Sequence, residues 1–110
     1  MKRTGRKDGT AMIRHVIIWD LKEELTAEER LSAKAEIKEK LEALAGRIDG
    51  LREIHVYTDL LDSSKGDIML DSVFDSREAL AGYQIHPEHL KAAEAVKRAV
   101  CHRSCADFEQ

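Results

Sequence analysis

The sequence predicts an α+β domain whose elements follow the order βαββαβ. Three observations indicate this order: a β-branched strand pattern begins at Ile13, helix-start signals follow at Thr26 and near Asp75, and two strand-like segments lie between them. The 110 residues provide enough apolar surface for one core but not for two. We therefore predict a single domain.

The first predicted strand spans Ile13 to Leu21 and is rich in β-branched and aromatic side chains. Its alternating faces carry Ile17 and Trp19 on one side and Val16 and Ile18 on the other, so the middle of the strand is apolar on both faces. A strand of this kind has to be covered on two sides.

The first helix is predicted to begin at a capping box, in which Thr26 precedes Glu29 by three residues. Gly46 and Gly50 mark the region where the helix ends. The apolar residues of the segment recur at helical spacing, which predicts one buried stripe. This stripe consists of Leu31, Ala35, Ile37, Leu41, Leu44 and Ile48.

Two further strands are predicted to form a hairpin in the middle of the chain. The segment from Leu51 to Leu61 alternates between apolar and polar residues, and a third strand runs from Asp67 to Phe74. Residues 62–66 between them are Asp, Ser, Ser, Lys and Gly, which are typical of a turn.

The second helical region is predicted to be broken into two pieces at Pro87. Asp75 or Ser76 caps the first piece, which carries Tyr83 on its apolar side. Proline is favoured at the first position of a helix, where its missing N–H has no partner to lose. The second piece therefore begins at Pro87 and extends to about Val100.

The tail from Cys101 to Phe108 lacks a helical period and is predicted to be the final strand, which completes the order of a ferredoxin-like sandwich. On a strand, Cys101 and Cys105 are roughly 13 Å apart, too far for a disulfide. On a helix they would form a partial metal cluster with His102, but without a fourth ligand or the usual zinc spacing. We predict reduced, partly buried thiols and no metal site.

In a four-stranded sheet of this order the helices cover one face only, yet the first and third strands are predicted to be apolar on both faces. Two copies packed sheet to sheet would bury the open face. We therefore predict a homodimer whose interface is at or above about 1,600 Å² in total.

Charge is distributed unevenly along the chain, whose formal net charge is −3. Residues 1–11 carry +3, while the other residues form an acidic body without the clustered cations of a nucleic-acid groove. We interpret residues 1–11 as a disordered basic extension and residues 12–110 as the domain. Because no segment looks like a membrane span or a signal peptide, we predict a cytoplasmic protein that binds neither nucleic acid nor membrane.

The segment Tyr83-Gln84-Ile85-His86-Pro87-Glu88-His89 places a phenol and two imidazoles around a helix start. His86 lies at or beside the N-cap, and His89 falls in the first turn, on the apolar stripe of the following helix. A neutral imidazole is a competent base, and a phenol donates to an oxygen that gains negative charge. Together they suit proton abstraction next to a carbonyl group.

Two other interpretations of these residues stay open. His89 can have a structural role, in which it caps the helix or bonds a backbone carbonyl while Tyr83 packs in the core. His86 and His89 can also ligate a metal together. His15, in the middle of a two-sided apolar strand, is either a pocket residue or a hydrogen-bonded core residue.

The chain from Met12 to Phe108 resembles the stress-responsive dimeric α/β-barrel (Dabb) domain family. The likeness is carried by Ile13-Arg14-His15-Val16, by Phe74-Asp75-Ser76 and above all by Tyr83-x-x-His86-Pro87-x-His89. It implies a ferredoxin-like protomer, a homodimer with a central barrel, and a cavity between sheet and helices in each subunit. Most proteins that look like this have no assigned activity.

Plant polyketide cyclases are the informative members of that family. In them the positions matching Tyr83 and His89 act on the substrate, and the position matching His15 lines the same cavity. This chain has Ile68 where the cyclases have a further imidazole, which implies a more apolar pocket. The resemblance thus implies Tyr83 and His89 as catalytic residues, and we predict as substrate-binding residues His15, His86, Trp19 and Ile68.

The favoured function is therefore to bind, or to convert by acid and base catalysis, a small hydrophobic or aromatic carbonyl compound. One alternative is a stress or stability protein without catalysis, whose function is the dimer itself. Another is an enzyme like the cofactor-free monooxygenases of the wider barrel group. No cofactor is predicted, since the chain has no Gly-rich phosphate loop.

Overall fold

The computed structural model describes residues 11–110, in which four strands and three helices follow the order βαββααβ. The elements are β1 (Ile13–Leu21), α1 (Ala27–Glu42), β2 (Leu51–Tyr57), β3 (Ile68–Phe74), α2 (Arg77–Ile85), α3 (Pro87–Ala99) and β4 (Val100–Glu109). The predicted ferredoxin-like α+β fold is confirmed. The predicted basic extension lies outside the described residues, except for Ala11, which is buried.

The strands form one antiparallel sheet in the order β2-β3-β1-β4. The central strand β1 pairs with β3 on one side and with β4, an edge strand, on the other. In this register His15 lies opposite Ser72 of β3 and Asp107 of β4, while Cys105 lies opposite Ile17. The β1 to β4 pairing therefore places side chains from opposite ends of the chain next to each other.

The core fills the space between the three helices and one face of the sheet. From α1 and the turns after it, Ile37, Leu41, Leu44 and Ile48 are buried, as predicted. The prediction was wrong for Leu31 and Ala35, which are exposed. Both lie well over a quarter turn around the helix from Ile37, so they face away from the sheet. The other large core residues are Ile13, Ile17, Trp19, Leu21, Leu51, Ile54, Val56, Ile68, Leu70, Phe74, Leu80, Tyr83 and Val96.

Strand β2 ends at Tyr57 and not at Leu61 as predicted. The last residue of β2 that pairs with β3 is Tyr57, opposite Met69, and β3 itself begins at Ile68. Residues 58–61 thus have no strand to pair with, and Leu61 is exposed. Pairing, rather than the alternation of residue types, decides where the strand stops.

The face of the sheet away from the helices is only partly apolar. Val16, Ile18 and Met69 are half-buried there, as expected, but Arg14 and Asp71 form an ion pair at 2.7 Å between the same two strands. The prediction that β3 is apolar on both faces is therefore wrong at Asp71. In the single chain, Tyr57 and Phe108 on this face are about half exposed.

A close approach at Gly50 seats α2 against the end of the sheet. Gly50 has φ +85°, and a Cβ atom there would lie 2.5 Å from the Cβ of Ala79. Glycine is therefore required both for its backbone conformation and for space. Ser76, one of the two predicted caps, accepts from the backbone N–H of Ala79 at the start of α2. Within residues 11–110, none of the helices combines the length and apolarity needed to cross a membrane.

Candidate functional site

A cavity of about 250 Å³ lies between the sheet, α1 and the α2–α3 junction. Its walls are mainly apolar, and its polar groups come from a strand, from both helices of the junction and from the start of β4. The apolar lining consists of Ile17, Trp19, Leu41, Leu70, Ala93, Val96 and Val100, and the polar lining of His15, Tyr83, Gln84, His89, Lys97 and Arg103.

The α2–α3 junction places Tyr83 and His89 side by side. His86 is both the C-cap of α2 and the N-cap of α3. Its Nδ1 accepts a hydrogen bond from the backbone N–H of Glu88 at 3.1 Å. Pro87 then starts α3, as the sequence predicts. The chain turns at this point, so that the Tyr83 and His89 rings come within 4.2 Å of each other, centroid to centroid.

The hydroxyl group of Tyr83 is buried, and among the described residues it has no hydrogen-bond partner. The ring is fixed by contact with Phe74, whose centroid lies 4.9 Å away. Burial raises the pKa of Tyr83, because the phenolate form would lose its hydration. The side chain is therefore a phenol at all ordinary pH values, with an O–H that is available to an oxygen in the cavity.

His89 is half-buried, and its Nδ1 atom likewise has no hydrogen-bond partner within residues 11–110. Burial lowers the pKa of His89. The backbone carbonyl of Gln84 opposes this shift, because a hydrogen bond from the ring to the carbonyl favours the protonated form. Electrostatic interactions with His15, Arg103 and His86 also lower the pKa of His89. The imidazole is thus neutral at pH 7, the state in which it can accept a proton.

The third polar group of the cavity is His15, which is buried and held by a side chain that the sequence analysis missed. Its Nδ1 contacts a carboxylate oxygen of Asp107. An ionised carboxylate only accepts, so Nδ1 carries a hydrogen, and in the neutral form of the ring Nε2 is the acceptor. Asp107 is far away in sequence, and the pairing of β1 with β4 is the signal that could have found it.

Four of the six predicted site residues line the cavity: His15, Trp19, Tyr83 and His89. The other two do not. Ile68 is fully buried in the core, and His86 lies on the other side of the junction, where it caps α3. Substrate binding by Ile68 and His86 stays a prediction for which these positions give no support. Lys97 and Arg103, two exposed cations of the lining, were not singled out from the sequence.

Both cysteines lie on β4 as free thiols, and both are exposed rather than partly buried as predicted. Strand β4 is an edge strand with a neighbouring strand on one side only, so its side chains meet fewer neighbours. Burial of the sulfur atom and the nearby Asp107 carboxylate raise the pKa of Cys105, so this thiol is not an activated nucleophile.

Comparison with known proteins places these observations in a family. The model of the stress responsive A/B barrel domain (Dabb) matches residues 13–110. Among curated proteins, no sequence matches this chain significantly.

Solved structures share the fold. A dimeric protein of unknown function from Bacteroides fragilis is 30% identical, with a TM-score of 0.84 over 90% of this chain and 96% of that one. A Dabb family protein from Mesorhizobium loti is 19% identical, with a TM-score of 0.70 over 91% and 97%. A hydroxynitrile lyase from Passiflora edulis is 15% identical, with a TM-score of 0.68 over 92% and 94%.

Proposed function

The chain belongs to the stress responsive A/B barrel domain (Dabb) family, and we propose that its cavity binds a small hydrophobic carbonyl compound and promotes proton transfer on it. One observation carries this proposal: the phenol of Tyr83 and Nδ1 of His89, both buried, lack hydrogen-bond partners among the described residues and line the same apolar cavity. Buried polar atoms are normally paired, so two adjacent exceptions suggest that a ligand completes them.

The proposed chemistry uses His89 as base and Tyr83 as hydrogen-bond donor. His89 takes a proton from the carbon next to the carbonyl group, and the electron pair of that C–H bond moves into an enolate. The phenol of Tyr83 donates to the enolate oxygen, and its high pKa keeps the proton on the phenol. His89 then returns the proton, with acid–base assistance of roughly 10²- to 10⁴-fold.

Cavity size and charge narrow the class of ligand. At about 250 Å³ the cavity is slightly smaller than the range of about 300–1,000 Å³ typical of drug-sized ligands. Lys97 and Arg103 add two positive charges to an otherwise apolar lining. These features favour a compact aromatic or aliphatic acid, whose carboxylate pairs with the cations and whose carbonyl reaches Tyr83.

We also propose that two copies assemble through the open faces of their sheets. Apolar side chains of β1 and β3 are only half-buried on that face, and Tyr57 and Phe108 extend the apolar surface at its two sides. The related B. fragilis protein is described as dimeric. Sedimentation at micromolar concentration should give twice the chain mass of 12.4 kDa, and a stable single-chain species would contradict the assembly.

The ligand proposal is tested by native mass spectrometry and calorimetry with a panel of aromatic and polyketide-like acids, each paired with its neutral amide. We expect acids that bear a second carbonyl to bind, the amides to bind less tightly, and Tyr83→Phe and His89→Gln to weaken binding. His55→Gln, at an exposed imidazole on β2, is the matched control.

Two results would count against the proposal. If no compound of the panel binds at millimolar concentration, the cavity is not a site for this class. If His89→Ala lowers the melting temperature while ligand affinity is unchanged, His89 has a structural role, and the alternative of a stress or stability protein without catalysis is favoured.

A further inference from the structure

Three side chains of different chemistry converge on one point beside the cavity. They are His15 on β1 and Cys105 and Asp107 on β4, and their ligand atoms all lie within 4.8 Å of one another. Strand register brings them together: Asp107 lies directly opposite His15, and Cys105 is two residues before Asp107 on β4 and so faces the same side.

Two of the three distances between the ligand atoms are close to those of a tetrahedral metal ion. The Cys105 sulfur lies 3.8 Å from Nδ1 of His15 and 3.5 Å from a carboxylate oxygen of Asp107. Ligands at zinc distances of about 2.0–2.3 Å are separated by roughly 3.3–3.6 Å in a tetrahedron. His15 and Asp107 are in direct contact, so their hydrogen bond has to open and the two side chains have to separate before an ion can bind between them.

Cysteine, histidine and aspartate can also form a nucleophilic catalytic triad, but the geometry here does not fit one. In a triad the thiol and the carboxylate contact opposite nitrogen atoms of the imidazole, so that the ring relays a proton. Here Cys105 and Asp107 both contact Nδ1. Three ligand atoms around one point suit a cation in their midst rather than a relay.

We propose that His15, Cys105 and Asp107 form a three-ligand site for a zinc-like divalent cation, a property that goes beyond the proposed function and does not depend on it. A thiolate, an imidazole and a carboxylate together suit zinc rather than magnesium or calcium. Cys105 and Asp107 are exposed, so the ion has a path from solvent, and water fills the fourth position. Arg103, whose charge acts on Cys105, keeps the affinity below that of closed four-ligand sites.

Binding changes the protons of the ligands. The Cys105 thiol releases its proton to solvent when the sulfur joins the ion, and the imidazole proton of His15 moves from Nδ1 to Nε2. Nε2 then donates where it previously accepted. Metal occupancy thus changes the hydrogen-bonding character of His15 from acceptor to donor.

The experiment uses the reduced full chain and cobalt(II), which is a spectroscopic substitute for zinc. We expect a thiolate-to-cobalt band in the near ultraviolet, visible bands of tetrahedral intensity, and loss of both when one equivalent of zinc is added. Cys105→Ser should abolish the thiolate band, and Asp107→Asn should weaken cobalt binding by more than about tenfold.

The chain provides a matched control in Cys101, the other exposed free thiol on β4. Cys101→Ser should keep the full spectrum. Tyr83→Phe should also keep it, which separates failure of the metal site from failure of the proposed function. The proposal is overturned if the wild type gives no thiolate band at millimolar cobalt, or if the band is lost in Cys101→Ser and kept in Cys105→Ser.

Discussion

The helical wall of the cavity and its strand wall differ in whether their buried polar side chains have hydrogen-bond partners. On the helical wall, Tyr83 and His89 present buried atoms without partners within the described part of the chain. On the strand wall, His15 is equally buried but is held by Asp107. The difference indicates that a ligand would form its new hydrogen bonds on the helical wall, because a buried polar atom without a protein partner can bond only to a bound molecule.

The cause lies in the neighbours of each wall. At the α2–α3 junction the backbone carbonyl of Gln84 interacts with the His89 ring, but no group there bonds the hydroxyl of Tyr83 or Nδ1 of His89 among residues 11–110. The edge strand β4 lies beside β1 and contributes polar side chains at every second position, and these reach His15. Four measurements test this difference between the two walls.

The largest effect is expected from removing the ring of Tyr83. Tyr83→Ala should lower the free energy of unfolding by about 3–5 kcal/mol, because it leaves a hole where a fully buried aromatic side chain packs on Phe74 and His89. Urea denaturation measures the change. Leu31→Ala, at an exposed leucine on α1 away from the open face of the sheet, is the control and should cost far less. Equal losses in the two variants would show that the helical wall is not packed as described.

A smaller effect is expected on the strand wall. Asp107→Ala removes the partner of the buried His15 and should cost about 1–2 kcal/mol, at the low end for an orphaned buried group because Asp107 itself is partly exposed. Asp107→Asn keeps an acceptor oxygen and should recover most of the loss. The melts are run with a chelator, so that metal binding does not contribute. If both variants are as stable as the wild type, the pair does not hold His15.

The third effect concerns pH and His89. Because burial lowers the pKa of His89 below its ordinary 6.5, the unfolded chain binds more protons than the folded chain between 6.5 and the lowered value. The contribution of His89 to stability is complete above pH 6.5 and decreases as the pH falls through that window. Unfolding free energies of the wild type should therefore decline on the acid side more steeply than those of His89→Gln. Parallel curves for the two proteins would contradict the buried, neutral state of His89.

The smallest effect on stability, and one of opposite sign, is expected for Tyr83→Phe. The substitution removes a buried hydroxyl that has no partner within residues 11–110, so stability should stay the same or rise by up to about 1 kcal/mol. Thermal and urea melts of the chain without ligand test this. A loss of more than about 1 kcal/mol would mean that the hydroxyl is bonded in solution, and the two walls would then be alike.

The parts of this molecule that sequence could predict are those set by neighbouring residues. The bounds of β1, the capping box at Thr26 and the helix start at Pro87 follow from local patterns, and the structure confirms them. The closeness of Tyr83 to His89 follows from the same junction. The cavity role of His15 was implied by family resemblance rather than by pattern.

Sequence reasoning failed where the answer depends on partners far along the chain. The end of β2 is set by where β3 begins, and the rotation of α1 that exposes Leu31 is set by the sheet beneath it. The contact of Asp107 with His15 needs the register of β4 on β1, and residue types alone do not give that register.

The double cap at His86 has a consequence for the spacing of the whole Tyr-x-x-His-Pro-x-His segment. The cap ends one helix and starts the next, so the phenol of Tyr83 and the imidazole of His89 belong to separate helices joined at a single residue. One amino acid inserted after Pro87 would turn His89 by about 100° around its own helix axis while both helices still formed. The number of residues in this segment thus sets the position of His89 relative to Tyr83. Insertions or deletions within it should be far less tolerated than changes of residue type at Gln84 or Glu88.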